Sequence, residues 1–443
     1  MSCTVVRSPL LRGSTIRHYA AAATAPSSAS TALESQVLGN KVTVAALDNN
    51  SPIAQVSIVF RAGSRNETYD TRGVAHHLRI AAGLGTSEAS AFAITRNIQQ
   101  LGGNLMATVD RESTAYTLQI TRNNLSDALQ FLECVATKQV FKPWEVSDEQ
   151  PRLEYELLSL SDETKVIELL HKAAYRTGLG YSLYTPKRQL GKIGTETLQH
   201  FVNTWCTAPR CAVVGTGVSL SELSAFAANL ELGSGDPTNE ASRYYGGEIR
   251  EETSSDLTNV AVAVEGVAAK NEQDALACAV LQRATGAEPR VKWGGSAGPL
   301  QKQLSSAAGT EPFAVSTFNA SYSDSGLFGV VLCSTPNAAG SLTQAAFKWL
   351  KSMKLSDADV ARGKAILKAE VLNAADNVNA SLENLQYEAL TKGKASTPES
   401  LVAAVDNVSA SSVKSIADKL AGGRLTMASI GDLKTVPYFD QLK

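Results

Sequence analysis

Between Lys41 and Arg61, apolar residues alternate with small and polar ones in VTVAAL and AQVSIVF, on either side of the turn-forming DNNSP. Period-two patterning around a turn predicts two strands of an antiparallel hairpin. The period then lengthens to that of a helix over Gly73–Ala82 and Ser87–Gln100, and Gly102-Gly103 ends the second stretch. A strand over Ser113–Ile120 and helices over Leu125–Ala136 and near Trp144–Leu160 follow. A helix near Thr195–Thr204 and a strand over Cys211–Gly215 close the first half.

The same order returns after residue 243. YYGGEIREE and NVAVAVEGV predict a second hairpin, and Glu272–Ala284 a helix. Strands over Phe313–Tyr322 and Gly326–Cys333 precede helices at 340–352, 356–373, 381–391 and 410–420. The last strand, LTMASIG at 425–431, matches CAVVGTG at 211–217. Corresponding elements lie roughly 205 to 215 residues apart, which reads as two copies of one unit. The expected fold class is α+β, with two homologous domains, each a mainly antiparallel sheet packed against helices. The domains are placed at 34–232 and 243–443, joined by GSGDPTNEAS at 233–242, whose Gly, Pro and Ser content predicts a flexible linker.

Residues 1–33 stand apart from this pattern. Arg7, Arg12 and Arg17 punctuate Leu, Val, Ser and Ala, and the first acidic residue is Glu34. That arginine-rich, acid-free profile predicts a mitochondrial presequence, and Arg17-His18-Tyr19 followed by Ala20 resembles a matrix processing site.

At 443 residues the chain exceeds one ordinary core, and its 44% apolar and 19% charged content is that of globular protein. The formal charge is −2, and without the three presequence arginines the rest carries −5. No dense basic patch with interleaved aromatics points to nucleic acid. Cys3, Cys134, Cys206, Cys211, Cys278 and Cys333 form no CxxC pair and no metal spacing, so free, mostly buried thiols are expected. The longest charge-free run of the body, Ser325–Phe347, is studded with polar residues and Pro336, unlike a membrane span. Asn-x-Ser/Thr triplets at Asn66, Asn124, Asn319, Asn379 and Asn407 are read as turns or caps.

One stretch carries candidate chemistry. In the inverted zinc motif His-x-x-Glu-His, histidines at i and i+4 share a helix face and hold the metal, while the glutamate at i+3 activates its water. In GVAHHLRIAAGLGT, residues 73–86, His76 takes the first place but Arg79 stands for the glutamate and Ile80 for the second histidine. Leading with His77 instead puts Ile80 and Ala81 in those places. Arginine stays protonated and cannot serve as a base. Beside a dication it adds a repulsion of roughly 6 kcal/mol at about 5 Å and an effective dielectric of about 20.

GSRNET at 63–68, GVAH at 73–76, LGT at 84–86 and RESTAY at 111–116 resemble the mitochondrial processing peptidase family of inverted-zinc-motif metallopeptidases. FNASYSDSGLFG at 318–329 is similar to the core-protein branch of that family, found in ubiquinol–cytochrome c reductase, respiratory complex III. The resemblance runs from about Leu38 to the C-terminus. In active members a glutamate pair corresponds to Glu149 and Glu156, and Glu156 would be the third zinc ligand. An Arg and a Tyr seven residues apart fall on Ser306 and Phe313 here. The bland readings are a structural hydrogen-bonded His76, and Glu154 and Glu156 on a solvated helix face. Arg79 is expected to pair with Glu156 or a nearby acid.

The resemblance therefore implies no catalytic, cofactor-binding or metal-binding residues and no cofactor. The implied function is a non-catalytic, matrix-side scaffold of the respiratory chain, an obligate hetero-oligomer with core protein 1 and other complex III subunits, attached peripherally to the mitochondrial inner membrane. The alternatives are an active zinc endopeptidase, which Arg79 and Ile80 oppose, and the non-catalytic alpha-type processing-peptidase subunit that binds presequences through a glycine-rich loop. The nearest counterpart of that loop is Gly294–Gly298, short and followed by Pro299.

Overall fold

The computed structural model describes residues 32–286 and 298–442. Most of the 294–298 loop, and Cys3, lie outside the described residues.

The first half carries strands β1 (Ala32–Val37), β2 (Thr43–Asp48), β3 (Ile53–Phe60), β4 (Asn104–Val109), β5 (Thr114–Thr121) and β6 (Cys211–Thr216). Its helices are α1 (Val74–Ala81), α2 (Ala91–Gln100), α3 (Leu125–Thr137), α4 (Pro143–Asp148), α5 (Gln150–Leu158), α6 (Asp162–Tyr175), α7 (Thr195–Trp205) and α8 (Leu220–Ala228). The second half carries β7 (Gly247–Glu252), β8 (Thr258–Glu265), β9 (Phe313–Ser321), β10 (Gly326–Ser334) and β11 (Leu425–Gly431). With them come α9 (Glu272–Ala284), α10 (Pro299–Ala308), α11 (Pro336–Leu350), α12 (Asp357–Asp376), α13 (Val378–Lys392), α14 (Pro398–Asn407) and α15 (Ala410–Ala421).

The strands form two sheets, ordered β1-β2-β6-β3-β5-β4 and β7-β11-β8-β10-β9. The α+β duplication is therefore present, but both expected hairpins are wrong in their pairing. β6 lies between β2 and β3, parallel to the first and antiparallel to the second. β11 divides β7 from β8 in the same way. Every residue of β6 and β11 is buried. A strand apolar on both faces belongs at the centre of a sheet, and local alternation cannot say which neighbours it will separate.

Three further differences matter. The single helix near Trp144–Leu160 is two, α4 and α5, broken at Glu149 with Pro151 in the first turn of α5, where its missing N–H costs nothing. Helices α6, α8, α10 and α14 and strands β1 and β4 are additional to the expected elements. The segment expected as a linker, 233–242, is hydrogen-bonded to the first half. Gly233 O accepts from Ala208 N at 2.9 Å, Pro237 O from Arg210 Nη1 at 2.8 Å, and Glu240 O from Arg65 Nη2 at 2.8 Å.

Each half has its own core, with Val44, Val56, Ile58 and Phe60 central in the first and Val262, Phe328, Leu342 and Met427 in the second. The opposite sheet faces are covered by exchange. Helix α6 of the first half lays Val166, Leu170, Ala174 and Tyr175 on Ala261, Ala263, Leu327 and Ile430 of the second sheet. Helix α13 of the second half returns Leu382, Leu385, Ala389 and Leu390 onto Ala45, Val59, Ala212 and Val214 of the first. This exchange explains why the central strands are apolar on both faces. Cys134, Cys206, Cys211 and Cys278 are buried free thiols, and Cys333 is a half-buried one.

Candidate functional site: a closed histidine–glutamate–arginine cluster

Helix α1 begins after Gly73, whose φ of 97° lies in the left-handed region. A Cβ there would stand 2.5 Å from Thr185 Oγ1 and 2.7 Å from Thr185 Cα, so glycine is required twice over. Buried Glu67, from the GSRNE segment, accepts the N–H of Gly73 at 2.8 Å and of Ala75 at 2.9 Å. The family-like motifs thus start this helix and fix its pitch against the Thr185 loop.

His76, 1% exposed, is held at both ring nitrogens. The Thr185 backbone N–H donates to Nδ1 at 3.2 Å, so Nε2 carries the proton and donates to Glu156 Oε2 at 2.9 Å. The same Glu156 oxygen accepts from Arg79 Nη2, and Arg152 Nε lies 3.7 Å from the other oxygen. Burial and the adjacent Arg79 guanidinium push the His76 pKa down, so the ring is neutral. Glu156 is held below the usual carboxylate range, as the hydrogen bonds from His76 and Arg79 and the Arg79 charge outweigh the opposing effect of burial. The expected Arg79–Glu156 pair is present, and Glu156 is half-buried in it, whereas Glu154 is on the solvated face. Glu149 is not part of the cluster; it lies 3.6 Å from Arg152.

Ile80, 2% exposed, lines a cavity of about 370 Å³ with Ile94, Ile98 and Leu105, and the Arg79 and Arg152 side chains border it. His77 donates from Nδ1 to Gly73 O at 2.8 Å and does not reach Glu156. A zinc ion does not fit these residues: the His76 nitrogen that would ligate it is a donor to Glu156, and a guanidinium sits on that carboxylate. Among the described residues no group of three or more His, Cys, Asp and Glu side chains is placed to hold a metal. In the second half, Ser306 is exposed on α10 and donates to Lys302 O at 3.0 Å, and Phe313 opens β9 against the local core.

A buried polar network joins the halves, and it is made of the other motif residues. Arg65, with its side chain 4% exposed, binds Asp324 through both guanidinium nitrogens at 2.9 and 2.5 Å and Glu112 at 2.5 Å. Glu112 also accepts the Ser323 N–H at 2.8 Å. Beside it, Arg111 pairs with Glu168 and donates to Tyr181 O at 2.6 Å. His171 donates from Nδ1 to Ile167 O and accepts the Tyr322 hydroxyl at Nε2, both at 2.8 Å. Tyr175 donates to Gly326 O at 2.7 Å. GSRNE, RES and SYSDSG therefore meet across the domain boundary. In the sequence these stretches carried the family resemblance, which does not disclose that they meet one another.

These buried groups predict a stability optimum near pH 6.5. Burial lowers the folded pKa of His76, of His77 to about 4, and of His171 well below 6.5. The unfolded chain then binds these protons first, and stability falls as pH drops below about 6.5, by up to about 1.4 kcal/mol per pH unit per histidine. Glu67 acts oppositely: burial raises it to about 8, so from about pH 4.3 up to 8 the folded state holds a proton that the unfolded state has lost. Stability falls with rising pH across that window. Below pH 6.5 the histidines dominate; above it Glu67 acts first, joined toward pH 8 by the buried thiols of Cys134, Cys206, Cys211 and Cys278, whose pKa burial also raises. Urea titrations from pH 5 to 8 should show the maximum, and Glu67→Gln should flatten the limb just above it while leaving the decline toward pH 8.

Comparison with known proteins agrees with this construction. The model described as Insulinase (Peptidase family M16) matches residues 43–187, and that described as Peptidase M16 inactive domain matches 192–367. The chain belongs to the M16 peptidase family. Within that family it is similar to a respiratory subunit: it is 37% identical to "Cytochrome b-c1 complex subunit 2, mitochondrial" of Homo sapiens, over 93% of this chain and 92% of the relative. The Rattus norvegicus protein of the same name matches equally, at 37% over the same shares. "Probable mitochondrial-processing peptidase subunit alpha-1, mitochondrial" of Arabidopsis thaliana is 28% identical over 93% of this chain and 84% of its own length.

Proposed function

We propose that this chain is a non-catalytic core subunit of mitochondrial ubiquinol–cytochrome c reductase, serving assembly and stability in the electron-transport chain. The observation that carries the reading is the closed cluster: Glu156 accepts from His76 and Arg79, and Ile80 fills the remaining ligand position. The 37% identity to mammalian b-c1 subunit 2 against 28% to a processing-peptidase alpha subunit favours complex III over presequence binding. In this reading the partners are core protein 1 and the other complex III subunits, and electron transfer belongs to those others. The subunit lies peripherally on the matrix side of the inner membrane. No helix among the described residues is long and apolar enough to cross a membrane. Residues 1–33 act as a removable presequence, and the halves 34–232 and 243–443 are the two peptidase-like domains joined through 233–242.

Native-gel fractionation of detergent-solubilised mitochondria tests the assignment. The chain should migrate with cytochrome b and carry no stoichiometric zinc. Migration as a small soluble heterodimer would transfer it to the processing peptidase. The loss of the metal site has its own test: the Arg79→Glu, Ile80→His double variant should bind about one zinc per chain in a competition titration where the parent binds none. A double variant that stays empty would show that more than these two positions closed the site.

A further inference from the structure

A second groove lies in the last third of the chain, with a volume of about 930 Å³ and no residue in common with the His76–Glu156 cluster. Three segments build it: the C-terminal end of α11, the approach to β11 from Gly422 to Leu425, and the 3-10 turn Phe439–Leu442. Helical spacing puts Gln344, Phe347, Lys348 and Lys351 on one face of α11.

The floor is apolar. Phe347 and Leu425 are buried, and the Phe439 ring stands edge-on to Phe347 with centroids 6.0 Å apart. The rim is cationic, formed by Lys348, Lys351 and Arg424. Lys351 Nζ donates to Gly423 O at 2.9 Å and Arg424 Nη1 to Tyr245 O at 2.8 Å, and neither carbonyl neutralises a charge. Among the described residues no carboxylate lines the groove, Asp440 of the same turn included. Among the described residues none of the three cations forms an ion pair, although cations on the same half do elsewhere: Lys368 with Asp406, Lys392 with Glu388, Lys414 with Asp357. The α11 macrodipole accounts for lysines at its C-terminal end. It does not account for Arg424, which arrives from another segment, nor for the aromatic floor between the charges.

We propose that this groove binds an amphiphilic anion, a single acyl chain ending in a carboxylate or phosphate group. The chain lies along Phe347, Phe439 and Leu425, where apolar burial supplies the affinity. The head is placed among Lys348, Lys351 and Arg424, where exposed charges make binding salt-dependent. The site is independent of the scaffold reading, since it rests on the second half alone.

The test is calorimetric titration of the full-length protein with oleate below its micellar concentration. One saturable site is expected, weakened at least about tenfold by Lys348→Glu with Lys351→Glu and restored by arginine at both positions. Oleyl alcohol, with the same tail and no charge, should bind at least about tenfold more weakly than oleate. Flotation with phosphatidylcholine vesicles, with and without phosphatidylglycerol, distinguishes the sources: oleate binding without flotation assigns a free amphiphile, and charge-dependent flotation assigns a membrane lipid headgroup. Absence of both overturns the proposal, as does a charge-reversed variant that binds like the parent. Protection of Lys348 and Lys351 from acetylation only in the assembled complex would overturn it in favour of a protein segment.

Discussion

Arg65→Leu is expected to destabilise the protein by about 3–5 kcal/mol, the cost of removing one partner from a buried ion pair. The arginine side chain is 4% exposed and its partners Glu112 and Asp324 are 18% and 32% exposed. Without the guanidinium, two carboxylates from different halves are left facing one another, and leucine offers neither a donor. Solvent reaching Asp324 will screen part of that repulsion, which places the expectation toward the lower end. The same guanidinium holds Glu240 O, so the 233–242 segment should loosen together with this Arg65–Glu112–Asp324 latch between the halves. Equilibrium urea unfolding checks the magnitude, and limited proteolysis between 233 and 242 checks the release. A loss below about 1 kcal/mol would mean that the latch's desolvation cost nearly cancels its attraction.

Leu170→Ala should cost about 2–5 kcal/mol, the range for a large-to-small change at a fully buried site. Leu170 is fully buried on α6, but the surface it packs against belongs to the other half's sheet. Its loss therefore acts on the contact between halves rather than on either core. Leu385→Ala on α13, in the reciprocal position, should fall in the same range, with a smaller share because Leu385 is 5% exposed. The two sites lie on different sheets and share no partner, so their effects should add within about 0.5 kcal/mol. A double variant that loses much more than the sum would show that the exchanged helices stabilise one another. Two separate unfolding transitions in the double variant would show that the exchange is what makes the halves unfold together.

Much of the closed cluster was legible in the chain itself. Spacing along one helix placed His76, Arg79 and Ile80, and the charge of Arg79 required an acid nearby. What spacing could not supply is the direction of the His76 proton, which depends on the Thr185 backbone N–H, more than a hundred residues away. The latch was less legible still. Arg65, Glu112 and Asp324 lie inside stretches that the sequence marked only by family resemblance, and whether such charges are exposed or buried depends on what tertiary structure brings against them.

The sequence by itself determined most of the elements, their duplication and the spacing of His76, Arg79 and Ile80 on one helix, because periodicity and i to i+4 spacing are local properties of the backbone. The tertiary structure alone decided three things: that β6 and β11 split the expected hairpins, that α6 and α13 are exchanged between the halves, and that His76 donates to the same Glu156 carboxylate that pairs with Arg79. Each is a choice of neighbour between segments far apart in the chain. Such choices follow from which apolar faces remain uncovered after local structure forms, and strands apolar on both sides left two sheet faces that only the opposite half could cover.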